Sequence, residues 1–190
     1  MTERDTRQRL LDAATDEFAR SGLAGARVSV IVERAGINER MIYHHFASKV
    51  GLYEAVLAHH FRAPDLPPAV ASDPDPRQRF VSTVTAFVRG LLARPQFLAL
   101  ALHEAMDGWK HVPRASFADI PDVLRSAFEA ARKAGAIRKG CRFEVVYLGA
   151  VGAMVSGQLL SGRFLDLRTD KARDAFAMDL LDLVLQGAMQ

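Results

Sequence analysis

The chain has 190 residues, 49% of them apolar and 25% charged, a globular balance with ample material for a core. Its formal charge is only +3, with nine Lys/Arg against eight Asp/Glu in residues 1–63. Net charge therefore does not announce a polyanionic partner, and any basic footprint must come from placement. A single cysteine, Cys141, excludes a disulfide framework within the chain and a Cys-rich zinc site, and it reads as a plain small side chain.

The opening MTERDTRQRL is charged from the start, unlike a secretory signal. Leu11, Ala14 and Phe18 then recur on one helical face. That first helix should end near Ser21-Gly22, where glycine supplies a left-handed cap. Val28, Ile31, Val32 and Ala35 repeat the spacing in a second helix, which Gly36 ends. Asn38 can cap a third helix through its side-chain oxygen, with Ile42 and Phe46 pointing inward. Ser48 can cap a fourth, carrying Leu52, Ala55, Val56 and His59 or His60. Residues 64–76 hold five of the eight prolines and are the clearest break in the chain. The division expected is a compact unit of about four helices over 1–63 and a larger helical unit over 64–190.

Beyond the break the pattern predicts helices near 77–93, 95–108, 120–134, 142–161 and 171–187. Arg94-Pro95, the Pro113 region, Ala134-Gly135 and Gly162 punctuate them. No stretch alternates with period two and no repeat is present, so the fold class expected is all-α. The uncharged run 145–162 is at the lower limit for a membrane span. Its four glycines, two serines, tyrosine and glutamine favour a bundle helix buried in a cytoplasmic protein.

The stretch AGINERMIYHHFASK, residues 35–49, fits the turn and second helix of a helix-turn-helix. Gly36 permits a positive φ, Ile37 plugs the space between the helices, and Asn38 starts the second one. Such a unit lays its second helix in the major groove of DNA. At 100° per residue Arg40, Met41 and His44 lie opposite Ile42 and Phe46, with Glu39 and Tyr43 flanking. Arg can bond two acceptors of guanine, and Met can touch a thymine methyl. Tyr43 and Lys49 can bond phosphate, and Lys49 sits in the first turn of a helix, where free N–H groups also favour an anion. The same residue types also suit an outward face that is merely solvated.

Residues 9–56 resemble the N-terminal domain of the TetR family of transcriptional regulators. The resemblance rests on "LLDAA…F…G" in the first helix, the "AGI" turn, "YHHF", and "SK" opening the fourth helix. It covers about a quarter of the chain; the remainder is similar only in size and helical character. The resemblance implies a homodimer that puts two recognition helices into a palindromic double-stranded operator, most often as a repressor. Carried over by position, Arg27, Ser29, Glu39, Arg40, Met41, Tyr43, His44 and Lys49 form the DNA-facing set. His45 belongs to the motif but lies laterally. Two departures stand out. Ala26-Arg27 replaces the usual Ser or Thr before helix two, a lost cap that costs about 1 kcal/mol. Glu39-Arg40-Met41 is bulkier and more polar than the common pattern. Glu39 either accepts from cytosine N4 or pairs with Arg40.

The resemblance also implies a small-molecule effector pocket in the second domain. Phe87, Leu91, His103, Met106, Trp109, Phe128, Tyr147, Met154 and Gln158 are the candidate lining, which suits an apolar or aromatic effector. His103 and Glu104 either orient the ligand or lie on the wet side of their helix. Segments 142–161 and 171–187 are the expected dimer surface. Gly149, Ala153 and Ser156 make a small-residue stripe in the first. The second, with Ala172, Ala175, Phe176, Met178, Leu180, Leu183 and Val184, mixes wide apolar faces with Asp179 and Asp182. Three functions compete: an effector-responsive regulator, a DNA-binding protein whose second domain only dimerises, and an enzyme. The histidines show no H-x-x-x-H spacing with a partnering Glu, and no phosphate loop or GxSxG pattern occurs. No enzyme activity, cofactor or metal is expected.

Overall fold

The computed structural model of the chain describes residues 3–61, 73–112 and 119–190. Most of the proline-rich break and the Pro113 region lie outside the described residues. Among the described residues the regular structure is helical throughout, with two isolated bridges and no strand. Helix α1 is Glu3–Gly25, α2 Val28–Ala35, α3 Arg40–Phe46 and α4 Lys49–His60. After the break come α5 Pro76–Leu92, α6 Pro95–Met106, α7 Asp119–Lys133, α8 Phe143–Leu160 and α9 Asp170–Ala188. The all-α class expected from the sequence is the class observed.

The chain forms two compact units that one cut does not separate. Ala99–Ser116 group with Met1–Arg62, whereas Ala63–Leu98 group with Phe117–Gln190. The latter part of α6, from Ala99 to Met106, thus groups with the first unit.

In the first unit α1 packs on α2 and α4, and α3 packs on α4. Leu11, Ala14 and Phe18 of α1 are buried, as are Leu52, Tyr53, Val56 and Leu57 of α4. The α1 helix is interrupted at Gly22 (φ 64°, ψ 180°), and a further turn runs on to Gly25. A Cβ at Gly22 would lie 2.9 Å from His103 Nδ1, so both the backbone angle and the space require glycine there.

In the second unit α5 packs on α7, α8 and α9. Asp75 caps α5 by accepting the Arg77 N–H at 2.9 Å, with Pro76 at the first helical position. The core holds an aromatic series: Phe80 against Phe128, Phe128 against Phe143, and Phe143 stacked on Tyr147. Arg125 lies 4.5 Å over the Phe143 ring. Helix α8 is long and apolar enough, by length and composition, to cross a membrane. The expectation that it is buried holds on one face only. Phe143, Ala150, Met154 and Gly157 are buried, while Val145, Leu148 and Leu159 are more than 60% exposed.

Candidate nucleic-acid interface

The helix-turn-helix is set by what ends α2. Gly36 is left-handed (φ 62°, ψ 40°), and its N–H and that of Ile37 return to Glu33 and Val32 carbonyls. This is the doubled hydrogen bond that closes a helix with glycine. The Arg9 guanidinium donates to the Ala35 carbonyl at 2.5 Å and fills the space that a Cβ on Gly36 would need. The turn is thus clamped from α1. Asn38 Oδ1 accepts the Arg40 N–H at 2.9 Å, the capping role read from the sequence. Ile42 and Phe46 turn inward and are buried.

The missing cap of α2 is replaced from a distance. Arg27 has extended backbone and makes no side-chain cap. Its N–H instead donates to Glu17 Oε1 at 3.2 Å, and Glu17 is also paired with Arg20. Glu17 is almost fully buried. Burial pushes its carboxyl up, but the Arg27 N–H and the Arg20 guanidinium outweigh it and hold it below the ordinary glutamate value. Glu17 sits on an otherwise apolar helix face, and its pairing with Arg20 three residues on is the only local signal for it.

The far end of α3 is set against α4. Ser48 accepts the Gly51 N–H at 2.9 Å, as its capping position predicts. A Cβ on Gly51 would lie only 2.1 Å from the Phe46 carbonyl oxygen. Glycine is therefore required for the last turn of α3 to rest on the first turn of α4. Sequence reasoning passed over Gly51. The signal was a glycine inside a helix, which costs about 1 kcal/mol against alanine and so marks a close approach. Ala47, at the corner, holds φ 63°.

The eight candidate DNA-facing residues are placed as follows. Arg27, Ser29, Glu39, Arg40, Tyr43 and His44 are exposed, and Met41 and Lys49 are half-buried. Among the described residues the Arg40 and Lys49 side chains carry no ion pair. Glu39 is not held by Arg40: the Tyr43 hydroxyl donates to Glu39 Oε1 at 3.4 Å, a long contact that is easily exchanged. The flanking His45 packs edge-on between His44 and Phe46, and its buried Nε2 has no partner.

The candidate effector lining is divided. Phe87, Leu91, Phe128 and Met154 are buried in the second unit, and Tyr147 and Gln158 are half-buried there. Phe87 and Tyr147 line an apolar cavity with Phe80, Val84, Leu124 and Phe143, but it encloses only about 10 Å³, room for about one water. Leu91, Phe128, Met154 and Gln158 do not line it. His103, Met106 and Trp109 belong to the first unit. Met106 is 81% exposed and Trp109 43%.

His103 and Glu104 are tied into the first unit, and with Met106 they also line a cleft there. His103 Nε2 lies 3.2 Å from the Ala19 carbonyl. Glu104 is 1% exposed, and it accepts the Tyr53 hydroxyl at 2.9 Å and the His111 N–H at 3.1 Å. Burial, then the hydrogen bond to Glu104, pushes the Tyr53 phenol far up. These bonds satisfy a buried carboxylate inside the first unit. Beside them runs a cleft of about 590 Å³ lined by Ser21, Gly22, Lys49, Tyr53, His103 and Asp107, among others. Among the described residues no three His, Cys, Asp or Glu side chains converge on a metal position.

Residues 10–56 match the family described as bacterial regulatory proteins, tetR family. The chain is 32% identical over 135 residues to the HTH-type transcriptional repressor SCO4008 of Streptomyces coelicolor, a match spanning 71% of this chain and 64% of that protein. It is 28% identical to the HTH-type transcriptional repressor NicS of Pseudomonas putida, over 96% of this chain and 92% of that one. In fold it is similar to the ketosteroid transcriptional regulator KstR2 of Mycobacterium tuberculosis. That match has a TM-score of 0.72 and 21% identity, and covers 97% of this chain and 95% of that chain. A helix-turn-helix clamped by Gly36 and Gly51, a matching domain over residues 10–56 and repressors as relatives have one reading: residues 10–56 form a DNA-binding domain of the TetR type, in a chain similar to bacterial transcriptional repressors.

Proposed function

We propose that the protein is a homodimeric repressor that binds a palindromic double-stranded operator and is released from it by a small-molecule effector. The observation that carries this reading is the outward face of α3. It presents exposed Arg40 and His44 with half-buried Met41, next to Lys49, which carries no ion pair among the described residues, on a turn fixed at both ends. Arg40 takes the role of base reader, through the two acceptors of guanine, with Met41 against a thymine methyl. Tyr43 and Lys49 hold phosphate, with Arg27 and Ser29 at the start of α2 as further backbone contacts. Glu39 is free to accept from cytosine N4 once its long contact with Tyr43 is given up. The protein is read as cytoplasmic and without a catalytic role.

The dimer surface is assigned to α8 and α9. Val145, Leu148 and Leu159 of α8 and Met178 and Leu183 of α9 are each more than 60% exposed, an apolar extent that water does not tolerate well. Nothing lies within 4 Å of a Cβ placed on Gly149 or Gly152, so that side of α8 has room for a second helix. Leu180 of α9, by contrast, is buried in its own unit. The effector site is assigned to the apolar cavity around Phe87 and Tyr147, whose ring centres are 5.9 Å apart. Entry of an apolar ligand must part these rings. Effector affinity is thereby tied to a change of conformation, which is what release requires. Leu148→Glu tests the dimer. The side chain is already solvated in one chain, so the fold should survive while sedimentation gives monomers and operator binding falls sharply. A variant that remains dimeric would place the interface elsewhere.

A further inference from the structure

The segment RKAGAIRKGCR, residues 132–142, holds five cations and no acid in a chain whose whole formal excess is three. It links α7 to α8 and is rigidly built. Gly135 (φ 75°) closes α7, with its N–H donating to the Arg132 carbonyl and that of Ala136 to the Ala131 carbonyl. Ile137 is buried and pairs antiparallel with Met189. The Arg138 N–H donates to the Ala188 carbonyl at 2.9 Å, and the Gln190 N–H to the Ala136 carbonyl at 3.1 Å. Gly140 (φ 80°) then turns the chain so that the Cys141 N–H meets the Arg138 carbonyl. The cations are thus mounted around a fixed turn.

Around that turn lies a cleft of about 500 Å³, lined by Arg132, Arg138, Lys139, Arg142, Cys141 and Gln190, among others. This is within the size range of small-molecule sites, roughly 300–1,000 Å³. Nearby acids are already engaged. Glu129 pairs with Arg132, and Glu144 takes Arg125 at 2.9 Å while also feeling Arg142. Arg138 and Lys139 carry no ion pair among the described residues. Arg138, Lys139 and Arg142 are three like charges around one concavity whose fourth, Arg132, is already paired, and an anion in the cleft would relieve their repulsion. Guanidinium forks suit the paired oxygens of phosphate. We propose that this cleft binds a small phosphate-bearing anion, at a site separate from both the DNA-facing helices and the apolar cavity.

The test is titration of inorganic pyrophosphate into the full chain at constant ionic strength, followed by calorimetry and by backbone amide shifts. The expected result is saturable binding with shifts centred on residues 135–142. Arg138→Gln with Lys139→Gln should weaken it by about tenfold or more, the loss of at least one charge-assisted hydrogen bond. Both side chains are exposed, so the fold should be kept; Arg142→Gln gives a second, independent loss. Three results would overturn the proposal: a non-saturating response matched by sodium chloride, citrate binding as tightly as pyrophosphate, or unchanged affinity in both variants.

Discussion

Gly51→Ala puts the geometry of the recognition helix to a direct test. The new methyl carbon would stand 2.1 Å from the Phe46 carbonyl oxygen, about 1 Å inside ordinary contact. The atom it meets is backbone, so no side chain can swing away. Either the last turn of α3 or the first turn of α4 must move. Overpacking of this kind costs typically about 1–3 kcal/mol, against which alanine's better helix propensity returns up to about 1 kcal/mol. We expect a net loss of about 2 kcal/mol, or roughly 4–8 °C in melting midpoint for a chain of this size. Operator affinity should fall further than stability alone explains, because the displaced element carries Arg40 and Met41. The control is Gly90→Ala in α5, where nothing lies within 4 Å of the added carbon; that variant should be neutral or slightly more stable. Calorimetric melting at fixed protein concentration and fluorescence anisotropy with operator DNA give both readings. A Gly51→Ala protein with the stability and DNA affinity of the parent would refute the reasoning.

Three other outcomes follow from the same geometry. Glu17→Gln should cost about 1.5–3 kcal/mol at neutral pH, the worth of charge-assisted hydrogen bonds. Because the folded carboxyl lies below its ordinary value, that stabilisation is complete above the unfolded pKa and is lost as pH falls through the folded one. The stability gap between parent and variant should therefore close in acid, and a gap that does not change with pH in denaturant titrations would contradict it. Lys49→Ala should weaken binding to all duplexes about equally and reduce the salt slope by about one; an unchanged slope removes Lys49 from the phosphate contacts. Arg40→Ala should relax preference at one base position at a cost of about 1–3 kcal/mol, and an unaltered preference would end its role as a reader.

Local patterns carried the helices and their caps. The periodicity of Leu11, Ala14 and Phe18, the glycine at 36 and the capping Asn38 and Ser48 each act within a few residues, so their consequences were legible in the sequence. The last five helices also begin and end within about two residues of expectation, because proline and glycine mark their ends. Contacts between distant residues were not legible. Glu17 reaches the Arg27 N–H across ten residues and Glu104 reaches Tyr53 across fifty-one, and no local pattern distinguishes such carboxylates from solvated ones. The candidate effector lining is divided between the two units for the same reason. His103, Met106 and Trp109 follow an apolar run, yet they group with the first unit, whereas Phe87 and Tyr147 group with the second. The apolar surface of α8 leaves both core and dimer surface open in the sequence, because hydropathy does not say which apolar residues the chain itself buries.

The most direct measurement is enrichment of random duplex DNA on the purified protein at fixed salt, followed by sequencing. The account predicts a palindrome whose half-sites are spaced for successive major grooves, with a guanine in each half that loses its preference in the Arg40→Ala protein. Enrichment of a single undivided site, or none at any salt concentration, would contradict it.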